Sequence, residues 1–98
     1  MAQPATRIGD ADLVHCSQPH RAQGSDDVFV NGIPWSLMSH TNDAHLKPGG
    51  DDCIIHTAPI ARGSYKVFVN GLGAGRITDD VAGCTAVAEG SDDVYAGH

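Results

Sequence analysis

The chain repeats itself, and this limits its folds more than any other feature. Gly24-Ser25-Asp26-Asp27-Val28-Phe29-Val30-Asn31-Gly32 returns as Gly63-Ser64-Tyr65-Lys66-Val67-Phe68-Val69-Asn70-Gly71, and again as Gly90-Ser91-Asp92-Asp93-Val94-Tyr95-Ala96-Gly97. Each copy reads as a turn followed by a short apolar strand, and the Asn-Gly pairs of the first two suit the type I′ turn of a hairpin. A second block precedes each strand: Pro4-Ala5-Thr6-Arg7-Ile8-Gly9-Asp10, Pro34-Trp35-Ser36-Leu37-Met38-Ser39-His40 and Gly73-Ala74-Gly75-Arg76-Ile77-Thr78-Asp79. This pattern predicts one all-β domain over 1–98, made of three repeats spanning 4–32, 34–71 and 73–97 about a pseudo-threefold axis. Apolar residues never recur at helical spacing over three turns, and Gly or Pro interrupts nearly every window.

Charge and cysteine count narrow the function. A formal net charge of −6 is the wrong sign for wrapping a phosphate backbone, so no nucleic-acid partner is expected. No apolar run approaches the roughly 20 residues of a spanning helix, and Met1-Ala2-Gln3-Pro4 lacks the features of a signal peptide, which predicts synthesis in the cytoplasm. Three cysteines cannot all pair within the chain, and six histidines add to the weight of metal binding.

With its two blocks in this order, the chain resembles the PAAR-repeat proteins, which sharpen the spikes of contractile phage tails and type VI secretion systems. Pro4-Ala5-Thr6-Arg7-Ile8-Gly9-Asp10 is similar to the family's Pro-Ala-Ala-Arg-x-Gly-Asp, and the Gly-Ser-x-x-Val-Phe-Val-Asn-Gly strands are similar to its other hallmark. The middle copy departs most, with Leu37 for the Arg and Ser39-His40 for Gly-Asp. The resemblance implies a small conical domain with a metal near its apex. Its base would cap a trimeric spike protein, VgrG-like or a phage tail spike β-helix, with one tip per trimer. Such a tip is structural rather than enzymatic. It pierces a target membrane transiently, can carry effector cargo, and acts at the end of a virion tail or secretion apparatus.

Repeat register selects the ligands. The sixth residue after Gly9 is His15, after Ser39 it is His45, and after Thr78 it is Cys84. His and Cys fill 9 of 98 positions, so chance puts them at three fixed equivalent positions about once in a thousand. Zinc in a closed site takes a fourth ligand, and the middle repeat, the longest between its blocks, carries Cys53 and His56. His56 precedes Gly63 much as Cys84 precedes Gly90, which selects it. The family's site of three His and one Cys agrees with His15, His45, His56 and Cys84. Structural Zn2+ is the expected metal, and iron suits the same donors. Cys16 replaces His15 if the register slips by one, and Cys53 is the alternative fourth ligand.

The remaining chemistry-bearing residues have plainer readings. Cys16 and Cys53 otherwise read as small buried hydrophobes. His20 and His40 read as surface residues and His98 as a chain end. Trp35, Phe29 and Phe68 read as a sparse core, the Gly50-Asp51-Asp52 stretch as a loop, and the acidic pairs at 26–27, 51–52, 79–80 and 92–93 as solvated turns. The competing functions are a small metal-binding module with another partner and a zinc-dependent hydrolase. The sequence carries no His-Glu-x-x-His base motif for the latter.

Overall fold

The computed structural model describes residues 2–14, 16–49, 52–82 and 84–97, with side chains of 47–49 and 52–54 left aside. It is all-β, with no helix among the described residues. The strands are β1 (Gln3–Pro4), β2 (Phe29–Val30), β3 (Ile33–Pro34), β4 (His45–Gly49), β5 (Asp52–His56), β6 (Phe68–Val69), β7 (Leu72–Gly73) and β8 (Tyr95–Ala96). β2 pairs with β3 and β6 with β7, both antiparallel. At Asn31-Gly32 and Asn70-Gly71 all four residues have positive φ, as the type I′ turn requires. The third pair is β8 with β1, so the end of the chain joins its beginning where the other repeats use a hairpin.

Backbone hydrogen bonds close the threefold cycle. Thr6, Ser36 and Gly75 are equivalent in the repeat. The Thr6 amide donates to Gly75, the Gly75 amide to Ser36, and the Ser36 amide to Thr6, each at 3.0 Å. A side chain at Gly75 would meet the Ser36 carbonyl, Ile60 Cδ1 and Thr6 Cγ2, so this position on the axis has room only for glycine. Beside it, Ala5, Trp35 and Ala74 are equivalent and all buried. One large ring and two methyl groups fill a space that three large rings would overfill. The indole Nε1 donates to the Gly75 carbonyl at 2.9 Å.

Equivalent turns use equivalent bonds. Ser25, Ser64 and Ser91 each accept two amides through Oγ, those of Asp27 and Val28, Lys66 and Val67, and Asp93 and Val94. The Asn-Gly turns reach across repeats: Asn70 Nδ2 donates to Asp27 at 2.9 Å and Asn31 Nδ2 to Asp93 at 2.8 Å. These bonds hold both carboxylates below their ordinary pKa. Gly9, Ser39 and Thr78 all have φ between 76° and 89°, so Ser39 and Thr78 occupy a conformation that favours glycine. Their amides donate to Arg21, Ile60 and Val87 at 2.9 Å, which fixes the geometry three times over.

Several sequence expectations are corrected. Phe29 and Phe68 are not core: they are 53% and 57% exposed, and Tyr95 at the third equivalent position is 53% exposed. Alternation along a strand turns Val30, Val69 and Ala96 inward and therefore sends these rings outward. Trp35 is core as expected. Asp79 is a buried partner of Arg76 at 2.7 Å rather than a solvated turn charge, and burial raises its pKa above the ordinary value. Asp52 begins β5 instead of lying in a loop, while Gly50, Asp51 and His98 lie outside the described residues.

Candidate metal centre

The long middle repeat forms a hairpin, β4 with β5, in which His45 stands directly opposite His56. Cross-strand partners share a face, so the two rings meet at 4.3 Å between centroids, edge to face at 61°. Cys84 comes from the third repeat, in a turn closed by its own amide donating to Val81 at 2.9 Å. Its Sγ lies 3.2 Å from His45 Nε2 and 3.3 Å from His56 Nε2. His45 is buried, and the other two are partly buried.

This donor set fits a tetrahedral metal. With Zn–N near 2.05 Å and Zn–S near 2.3 Å, neighbouring N and S ligands stand roughly 3.5 Å apart. The candidate ligand atoms of His45, His56 and Cys84 all lie within 4.8 Å of one another. The tautomer of His45 also fits. Nδ1–H donates to the Asp43 carbonyl at 2.8 Å, which leaves the Nε2 lone pair directed at the cluster. The group can therefore hold a metal ion; repeat register singled out His45 and Cys84, and the long insertion singled out His56. His15, the other expected ligand, lies outside the described residues, as does the Cys53 side chain.

Cys16 departs from its reading as a small buried hydrophobe, because it is only half-buried and is disulfide-bonded. Its neighbour Ser17 accepts the Leu46 amide at 2.8 Å, so this loop is fastened to the start of β4 beside His45. His40 is more than a surface residue. Its Nδ1 accepts the Leu37 amide at 3.0 Å, as the Asp10 and Asp79 carboxylates accept the amides of Arg7 and Arg76. Burial and then the nearby Arg21 charge hold the imidazole below its ordinary pKa, favouring the neutral ring that can accept. His20 sits at the surface 3.8 Å from Asp43, as expected.

Sequence reading missed the polar residues that border the cluster. Asp12, Asn42 and Val81 are equivalent in the repeat, as are Arg21, Ile60 and Val87. Antiparallel bridges join Arg21 to Asn42, Ile60 to Val81 and Val87 to Asp12. Asp12 and Arg21 form a wholly buried ion pair at 2.7 Å, and Asn42 donates to the same carboxylate oxygen at 3.0 Å. The available signal was three polar residues at a register that is apolar elsewhere. No family model and no curated protein matches the chain.

Proposed function

We propose that this protein is a PAAR-like spike tip, a structural cap on the end of a trimeric β-helical spike in a contractile tail or type VI secretion apparatus. The observation that carries the reading is the closed cycle of repeats, which gives one chain three equivalent edges. Each edge presents one exposed aromatic ring, Phe29, Phe68 or Tyr95, on a two-stranded ladder. A partner with true threefold symmetry can meet all three edges at once with the same surface of each subunit.

The metal in this proposal is a structural Zn2+ held by His45, His56 and Cys84, with His15 as the fourth ligand. Bound there, it would tie the β4–β5 hairpin to the third repeat and lend rigidity to that junction. Asp26, Asp27, Asp92 and Asp93 are exposed and belong to the turns before the aromatic strands. They flank two of the three proposed edges, the turn before β6 carrying Tyr65 and Lys66 instead.

The test is the native mass of the tip bound to its spike, which should hold three spike chains and one tip. A three-to-three ratio overturns the reading. Replacing Phe29, Phe68 and Tyr95 together with Ser should abolish the complex while the isolated tip keeps its melting temperature. Elemental analysis should find one zinc per chain, and Cys84→Ser should lose it. Zinc-dependent turnover of ester, peptide or phosphate substrates by wild type would favour the hydrolase instead.

A further inference from the structure

The cluster of His45, His56 and Cys84 is bordered by a hydrogen-bond donor whose direction the fold has fixed. Asn42 is 1% exposed. Its Oδ1 accepts the Ala58 amide at 2.9 Å, so Nδ2 must face the opposite way. From there Nδ2 donates to Asp12 Oδ2 at 3.0 Å and reaches Cys84 Sγ at 3.9 Å. Asp12 is held in turn by Arg21, whose Nη1 donates to the His40 carbonyl at 3.1 Å. The path from a buried guanidinium to the sulfur thus runs through a carboxylate and an amide.

We propose that Asn42 is a positioning residue for the Cys84 ligand, orienting the sulfur and drawing charge from it through an N–H···S bond when a metal is bound. The repeat itself supplies the contrast. Val81 stands at the position of Asn42, and Ile60 and Val87 at the position of Arg21, so the equivalent bridges form with apolar side chains. A buried ion pair seldom adds net stability over such residues, and its use here is to aim the amide. Ligand-orienting bonds of this kind affect metal affinity by roughly 10- to 100-fold.

This inference rests on the metal reading, and cobalt distinguishes the two. In Co2+-loaded protein the sulfur-to-cobalt charge-transfer band reports electron density on Cys84. Asn42→Leu should move that band to longer wavelength and speed Co2+ release to a chelator at least tenfold. Asn42→Ser, which keeps an acceptor near Ala58 but is too short to reach the sulfur, should shift the band likewise if the Leu variant does not fold. Val30→Ala supplies the control: it weakens the other hydrophobic cluster, which does not pack on Cys84, and should leave the band in place. A band and release rate unchanged in the Asn42 variants, with wild type binding cobalt, overturns the role of Asn42 alone. Wild type that binds neither Co2+ nor Zn2+ overturns the metal site and this inference together.

Discussion

Two halves of one ring in this protein do the same backbone job with opposite chemistry. Ile60, Val81 and Val87 form an apolar half that packs with Ala58, Ile77 and Cys84. Asp12, Arg21 and Asn42 fill the remaining positions of the same two equivalent sets as a polar half, also fully buried. The same bridges run through both. Backbone pairing therefore does not dictate polarity here, and each half is viable only as a set. An apolar half needs shape, whereas a polar half needs its opposite charges paired, as Arg21 and Asp12 are, even though Asp12 Oδ1 and Arg21 Nε have no hydrogen-bond partner among the described residues.

The largest effect should come from breaking the polar set. Arg21→Ala leaves Asp12 buried without its cation and should cost about 3–5 kcal/mol in chemical denaturation. A loss below about 1 kcal/mol would mean that water reaches the carboxylate and the halves differ less than their burial indicates. On the apolar side, Ile60→Ala removes packing without exposing a charge. It should cost about 2–5 kcal/mol by the same measurement, toward the lower end if the ring can close on the gap.

Converting one half into the other sharpens the comparison. The triple variant Asp12→Val, Arg21→Ile and Asn42→Val places the residue type of Ile60 at position 21 and that of Val81 at positions 12 and 42, and should be near neutral or more stable by about 1–4 kcal/mol. A stability lower than that of Arg21→Ala would show that the polar residues are required for the local backbone. The smallest effect concerns pH. The folded pKa of His40 is depressed below the ordinary 6.5, so its stabilising contribution is present above that value and declines as pH falls toward the folded pKa. Asn at position 40 keeps an acceptor for the Leu37 amide without titrating. The difference in melting temperature between wild type and His40→Asn should thus move against wild type on acidification below about 6.5.

Much of this architecture is written in the chain. The Gly-Ser turns, the Asn-Gly hairpins and the number of repeats are local features, and local sterics enforce them wherever they occur. Register also brought His45 and Cys84 forward as partners, because equivalent positions in a cyclic repeat must surround one axis. His56 was legible as a donor in the longest insertion, although the β4–β5 hairpin that sets it opposite His45 has only short apolar signals, Leu46 and Ile54-Ile55, to announce it.

Other features were settled by neighbours distant in sequence. Phe29 and Phe68 look like core by type, yet strand alternation leaves them outside and assigns the interior to Val30 and Val69. His40 replaces an aspartate, and nothing local shows that its ring inherits the aspartate's amide. Leu37 and His40 replace the Arg and Asp of the other repeats together, so the middle repeat loses an ion pair without leaving either charge alone. Cys16 acquires a disulfide, and Asp12, Arg21 and Asn42 become a buried set joined through Asp12 Oδ2, only when separate repeats are brought together. Sequence alone determined the repeated backbone, because turns and strand pairing depend on nearest neighbours. Tertiary structure decided which polar groups are buried with partners, because burial and its compensation belong to the closed ring and to no single repeat.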